Sequence, residues 1–346
     1  MKFNLDYFKE VVQTILTTPS PSGYTADVVE IINRYALELG LTTKKMNKGN
    51  LLITFKGQDS TQTLGLSAHV DTLGLMVRSI NSDATLRVTS IGGNQPMSLI
   101  GEYCTVHTRS NKSYTGTVLS TSPASHVYED NSKVGQSIDE LVIRLDEVVK
   151  SRDDVKNLDI EHGDFISIDT KTLITDSGYV KSRYIDDKIS VAIILTVFKS
   201  LKDANVTPNH DLVFVVSTYE EVGHGASYLP EEITRFIAVD MGCIGKDLAC
   251  TEHDVSICAK DSSGPYDYTM TSELISLAKK HSLSYAVDIY PMYGSDASAA
   301  LRAGADIRAA LIGPGVHASH GTERTHLDGC LNTMKLIYAY LTEIKF

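Results

Sequence analysis

The stretch "DDKISVAIILTVFKSLKDANVTPNHDLVFVVSTYEE" (186–221) decides the fold. Its first half reads as a helix, "DDKISVAIILTVFKSL". Its second half is a short apolar run ending in two glutamates, which reads as a strand. The same alternation continues to the end of the chain. Strand "RFIAVDMG" (235–242) is followed by helix "YTMTSELISLAKKHS" (268–282) and strand "YAVDIY" (285–290). Helix "DASAALRAG" (296–304), strand "DIRAALIG" (306–313) and helix "LDGCLNTMKLIYAYLTEI" (327–344) complete it. Strands alternating with helices predict an α/β fold with a mostly parallel central sheet covered on both faces.

Upstream, "DYFKEVVQTIL" and "TADVVEIINRYALELG" have apolar residues at helical spacing, and Gly40 stands where a helix would be capped. The strands "NLLITFKG" and "TLGLSAHV" follow. Between about 74 and 170 the texture changes to short Val-, Thr-, Ile- and Tyr-rich segments punctuated by Gly, Asn and Ser, as in "LGLMVRSI", "SYTGTVLS" and "GDFISIDT". That pattern predicts a small all-β, barrel-like domain inserted in the α/β domain. The expected division is 1–72 with 171–346 for the α/β domain and 73–170 for the insert.

The chain has 346 residues, 42% hydrophobic and 22% charged, with a formal net charge of −11. Lysines and arginines are scattered, which argues against nucleic acid, whose binding needs a basic face. The longest apolar runs fall well short of the ~20 residues that span a bilayer. The N-terminus mixes acids among its apolar residues and reads as an amphipathic helix, not a signal peptide. Five cysteines without a CxxC pair suit reduced thiols. No nucleic acid, no membrane and a cytoplasmic location are the resulting expectations.

In parallel α/β sheets the ligand site lies at the carboxyl ends of the strands. His69 and Asp71 close "TLGLSAHVD"; Asp186 and Asp187 open the helix quoted first. Glu220 and Glu221 close "LVFVVSTYEE", Asp240 closes "FIAVD", and His320 stands in "GVHASHGTERTH" between the last strand and the last helix. Each is ordinary taken alone: aspartates cap helices, and paired glutamates before a glycine usually face solvent. Their recurrence along one sheet edge points to metal binding. Mixed imidazoles and carboxylates suit zinc, cobalt or manganese better than calcium or magnesium.

The set resembles the dinuclear-metal aminopeptidases of clan MH, and most closely the TET or glutamyl-aminopeptidase family (metallopeptidase family forty-two). The motifs that carry the resemblance run over almost the whole chain: "PSPSGYTADV" (19–28), "SAHVDTLGLMV" (67–77), "GDFISIDT" (163–170), "KSRYIDDKISV" (181–191), "STYEEVGHGA" (217–226), "AVDMG" (238–242), "YGSDASAA" (293–300) and "SHGTERTHLD" (319–328). The resemblance implies a zinc-aminopeptidase-like fold and two divalent metal ions per subunit, zinc in the first place, cobalt or manganese otherwise. It makes His69 and Asp240 ligands of one ion, Glu221 and His320 ligands of the other, and Asp186 the bridge, with Asp187 its rival. Asp71 would orient His69, and Glu220 would be the general base. His317 and His326 compete with His320, and Asp296 is a candidate helper near the substrate amine, with helix capping as its alternative role. Thr72, following Asp71 where the family usually has Glu, and "VDMGCIG" depart from the family pattern and bear on specificity.

The activity implied is removal of N-terminal residues from short peptides. The runner-up is deblocking or deacylation of N-acyl substrates, and a degenerate binding or assembly protein comes third. Glycosidase action finds no support in a chain without tryptophan. The family also implies a homo-oligomer built from dimers, extending to tetrahedral dodecamers, with the insert holding subunits together and shaping access.

Overall fold

The computed structural model describes residues 1–346. Two helices, α1 (Leu5–Thr17) and α2 (Ala26–Glu38), lead into strands β1 (Thr42–Lys45), β2 (Leu51–Phe55) and β3 (Asp59–His69). Helix α1 turns Phe8, Val11, Val12, Ile15 and Leu16 inward, and the Asn4 side chain caps its first turn. Six strands then close a barrel: β4 (Gly74–Ile80), β5 (Leu86–Ile91), β6 (Tyr103–His107), β7 (Ser113–Ser120), β8 (Leu141–Leu145) and β9 (Phe165–Ile168), in the order β4-β5-β8-β7-β6-β9. Two short helices, α3 (Pro96–Leu99) and α4 (Arg152–Lys156), lie in its connections. Alternate residues such as Leu75 and Val77, Leu86 and Val88, and Leu141 and Ile143 fill its core, as closure of a pleated sheet requires.

Strands β10 (Leu173–Ile174) and β11 (Tyr179–Ser182) return the chain to the α/β body and helix α5 (Ile185–Asp203). There follow β12 (His210–Ser217), β13 (Ile233–Val239), β14 (Gly242–Cys243), β15 (Val255–Asp261), β16 (Gly264–Pro265), α6 (Tyr268–Lys280) and β17 (Tyr285–Ile289). The chain ends with α7 (Asp296–Arg302), β18 (Arg308–Val316), β19 (Glu323–His326) and α8 (Leu327–Glu343).

The main sheet runs β1-β2-β12-β3-β13-β18-β15-β16, with β17 beside β15. Its centre, β12-β3-β13-β18, is parallel, while β2 against β12 and β15 against β18 are antiparallel. The sheet is therefore mixed: parallel in the centre, where the sequence places the site, and antiparallel on both flanks. Strand β15 was not among the strands read from the sequence. Helix α5 is buried almost throughout, packed on the sheet and against α1 and α8, which explains why its apolar residues show no single face. The smaller core on the other sheet face is closed partly by α7.

This topology brings the carboxyl ends of β3, β12 and β13 side by side. His69 ends β3, Ser217 pairs with it from β12, and Asp240 follows β13. A second, three-stranded sheet, β10-β11-β19, joins the segment leading to Asp186 with the one after His320.

Candidate metal centre

His69, 2% exposed, is fixed by its ring nitrogens. Nδ1 lies 2.9 Å from the Asp71 carbonyl and donates to it, which leaves the Nε2 lone pair facing Asp186 Oδ1 at 3.2 Å. The Asp71 carboxylate is 3.7 Å from Nδ1, so Asp71 orients the ring with its backbone. Its carboxylate has another task. Fully buried, it accepts the Ser22 hydroxyl at 2.5 Å and the backbone N–H groups of Glu220 and Glu221 at 3.1 and 3.3 Å. Asp71 thus sets the short turn on which both glutamates sit.

The two oxygens of Asp186 face different histidines: Oδ1 is 3.2 Å from His69 Nε2, and Oδ2 is 3.7 Å from His320 Nε2. His320 Nε2 is also 3.6 Å from Glu221 Oε2. Glu220 Oε2 stands 3.7 Å from His69 Nε2. Donor atoms converge in two groups, Asp186 with Glu221 and His320, and His69 with Asp187 and Asp240. Asp187, joined to Asp186 by a cis peptide, is fully buried, and its Oδ2 accepts the His69 backbone N–H at 3.1 Å. Both aspartates have non-helical backbone angles, so the regular part of α5 begins after them.

Two supports have no counterpart in the sequence reading. The buried Glu323 carboxylate accepts the Asp186 N–H at 3.0 Å with one oxygen and the His320 N–H at 3.0 Å with the other. It fixes two candidate ligands from segments far apart in sequence. The second support comes from the barrel: His320 Nδ1 donates to the Gly93 carbonyl at 2.9 Å, leaving Nε2 free to face Asp186 and Glu221. Gly92, at φ +70°, lies where a Cβ would come within 2.5 Å of Leu73 and 3.2 Å of the Glu221 carbonyl oxygen. The "GG" of "SIGGNQP" was a signal for this close approach. A carbonyl contact, however, leaves no residue-type signature.

The other candidates fall elsewhere. His317 is exposed, and its backbone pairs with Arg324. His326 belongs to a separate group with His253 and Asp328. Asp296 does not cap α7, for Ser295 does. Instead Asp296 is buried, accepting Ser217 Oγ at 2.6 Å and the Ala226 N–H at 2.8 Å, and so braces the loop carrying the glutamates. Gly225 gives it room, since a Cβ there would sit 2.3 Å from Asp296 Oδ1.

The electrostatics are those of a site short of positive charge. Burial first, then mutual repulsion, pushes Asp187, Glu220 and Glu221 well above the usual carboxylate range, and Asp240 up to about 7. Glu323 is raised to about 8, by burial and then by Asp186. Burial opposes charging of His69, but Asp186, Glu220, Asp240 and Asp187 outweigh it and hold its pKa well above the ordinary value. Carboxylates this crowded need cations, and two imidazole lone pairs aimed among them fit transition-metal ions. The donors open on a cleft of about 400 Å³ walled by Met241, Cys243, Tyr293 and Ser319.

A sequence profile of the M42 glutamyl aminopeptidase family matches residues 49–336. A Bacillus subtilis protein named "Putative aminopeptidase YhfE" is 44% identical over 333 residues, 96% of each chain. The TET1 peptidase of Pyrococcus horikoshii, described as assembling into a tetrahedron or a large octahedral shell, superposes with a TM-score of 0.85 at 24% identity, over 97% of this chain and all of its own. A TET aminopeptidase from a marine sediment thaumarchaeon gives a TM-score of 0.89 at 18% identity, over 99% of this chain and 98% of its own.

Proposed function

The chain belongs to the M42 glutamyl aminopeptidase family, and on that premise we propose that it is a two-metal aminopeptidase that removes N-terminal residues from short peptides. The observation that carries this reading is Asp186 standing between His69 and His320, one oxygen toward each, with Glu220 beside the first histidine. In this reading His69 and Asp240 would hold one ion and Glu221 and His320 the other, with Asp186 contributing to both, while Asp187 is turned to the His69 backbone. Zinc is the first choice, with cobalt or manganese as alternatives. Two such ions, when bound, supply Lewis acidity and lower the pKa of water.

The rest is done by the protein. Glu220, whose pKa burial and neighbouring charges raise, takes the proton of the water that adds to the scissile carbonyl carbon. It returns that proton to the amine nitrogen as the C–N bond breaks. A base whose pKa is raised above the ordinary glutamate value takes the water's proton more readily than an ordinary glutamate would, and the same carboxyl then donates it to the leaving amine. Asp71 holds Glu220 and Glu221 by their backbone, Asp296 braces the loop behind them, and Glu323 sets Asp186 against His320.

The barrel enters the reading twice. Its Gly93 carbonyl orients His320, so the insert is part of the catalytic construction. Following the assemblies described for the TET relatives, the insert also serves a dimer-based homo-oligomer, extending to a tetrahedral dodecamer, and limits access to short peptides. No helix is long and apolar enough to cross a membrane. The five free cysteines suit a reducing compartment, and a cytoplasmic place is part of this reading.

The reading is tested by Glu220→Gln and Asp186→Asn. Glu220→Gln should keep both metals and lose nearly all turnover, and retained turnover would remove Glu220 as the base. Asp186→Asn should weaken both metals together, whereas normal metal content would move the bridge to Asp187.

A further inference from the structure

His326 is separated from the centre above and sits where β19 meets α8. Its ring faces His253, from the loop before β15, with ring centroids 4.2 Å apart. Both Nδ1 atoms point at one oxygen, Asp328 Oδ2: His253 at 3.1 Å and His326 at 3.2 Å. The protonation of His326 is constrained, because its Nε2 lies 2.8 Å from the Ser177 carbonyl and must donate to it. In the neutral ring, Nδ1 then carries a lone pair. That lone pair accepts the Asp328 N–H at 3.0 Å, yet it also faces the Asp328 carboxylate, lone pair against negative oxygen. A proton on Nδ1 or a metal ion between the two atoms relieves that repulsion, and the second imidazole aimed at the same oxygen favours the metal ion.

The spacing matches a particular kind of cation. Tetrahedral zinc with bonds of about 2.0–2.1 Å separates neighbouring ligand atoms by roughly 3.3 Å. Two such edges are present, and all three donor atoms lie within 4.8 Å of one another. His69 and Asp186 show the same 3.2 Å edge in the family's own centre.

The surroundings fix the rings in place. Gly178, at φ +93°, leaves room where a Cβ would meet His326 Nε2 at 2.7 Å, and the Tyr179 ring stands edge-on to His326 at 4.8 Å. The Arg324 guanidinium lies over the Tyr179 ring and is paired with Glu252 next to His253. His253 and Asp328 are half-exposed, so the open side of the site faces solvent.

We propose that His253, His326 and Asp328 form a third divalent-metal site, distinct from the catalytic centre, that takes Zn²⁺ or Co²⁺ with water completing the coordination. Carbonyl Ser177, the loop at 251–254 and the first turn of α8 meet there. The ion would tie the end of the segment that carries His320 and Glu323 to the loop before β15, and its role is structural. On binding, His326 Nδ1 exchanges the Asp328 N–H for the metal, and that N–H turns to water at the exposed helix start.

The test is equilibrium dialysis of the full-length, metal-stripped protein against zinc, with metal counted per chain for the wild type and for His253→Gln with Asp328→Asn. The wild type should hold one zinc more than the double variant, whatever number the catalytic centre holds. The double variant should keep its fold by circular dichroism and its cleavage of short peptides at moderate temperature. In crystals of the zinc-loaded wild type, anomalous scattering should show an ion between His253 and His326. Equal zinc counts in two folded proteins, or no anomalous peak there while the other sites are filled, would overturn the proposal. Because the readout is a difference between variants outside the cleft, it stands or falls separately from the aminopeptidase reading.

Discussion

Replacing Asp71 separates its structural work from that of the groups around it. The carboxylate is fully buried and accepts three donors, the Ser22 hydroxyl and the N–H groups of Glu220 and Glu221. A buried donor left without an acceptor costs about 1–3 kcal/mol. Asp71→Asn retains one oxygen. Placed toward Ser22 and Glu221, it leaves the new NH₂ against the Glu220 N–H, so the expected loss of stability is about 1–3 kcal/mol. Asp71→Ala strands all three donors, and its loss should be roughly three times as large. The second consequence is chemical. With the turn released, Glu220 and Glu221 lose their backbone anchor, and groups that orient metal ligands typically contribute about 10–100-fold in affinity or activity. The Asn variant, examined by urea unfolding, metal titration and peptide hydrolysis, should thus lose stability and turnover together. His69 should keep its tautomer, because its Nδ1 donates to the Asp71 carbonyl, which the substitution leaves in place. An Asp71→Asn protein of unchanged stability and unchanged metal affinity would refute this account of the turn.

Other outcomes follow from the same geometry. Glu323→Gln keeps an acceptor for only one of the two N–H groups, of Asp186 and His320, so metal affinity should fall about 10–100-fold while the barrel and sheet stay folded. Gly92→Val introduces a side chain against Leu73 and the Glu221 carbonyl at a φ of +70°. It should lower metal content measured on purified protein, although the change lies in the barrel. Asp240 and Glu323 have folded pKa values raised to about 7 and about 8, above their unfolded values. The metal-free folded state therefore binds more protons than the unfolded state in this range, and its stability should fall as pH rises from about 4 to about 8. Cations remove that penalty, so the rise in melting temperature on adding zinc should be larger near pH 8 than near pH 5.5. Proton release on metal binding, read by calorimetry in buffers of different ionisation enthalpy, checks the same linkage.

The residues that converge in the structure were legible because metal chemistry is carried by side-chain type, and a parallel sheet collects strand ends at one edge. His69, Glu220, Glu221 and Asp240 could be named from their position at the end of an apolar run, Asp186 from opening a helix, and His320 from the loop between the last strand and the last helix. The inserted barrel was legible from period-two segments between turn residues. What stayed hidden is carried by backbone or by distance. The Gly93 carbonyl that orients His320 has no residue-type signal, and the role of Asp71 toward Glu220 and Glu221 runs through their N–H groups. Asp296 reads as a helix start or a cleft residue in sequence, and only the packing of α7 on the β12 loop shows it bracing that loop. The antiparallel flank at β15 was missed because "VSICAKD" is short, half polar in texture and outside the strand–helix alternation. His253 and His326 are 73 positions apart, and nothing local announces that they share a carboxylate.

The proposed reaction is metal-dependent cleavage from a free N-terminus with Glu220 as the base. The most direct measurement compares aminoacyl-p-nitroanilides with their N-acetylated counterparts, using metal-stripped protein refilled with zinc, cobalt or manganese. The account predicts no cleavage without metal, and metal-dependent cleavage confined to substrates with a free amine. Cleavage of the acetylated set alone would make the protein a deacylating or deblocking hydrolase. Silence with every metal, in protein shown to be folded and loaded, would contradict peptidase action altogether.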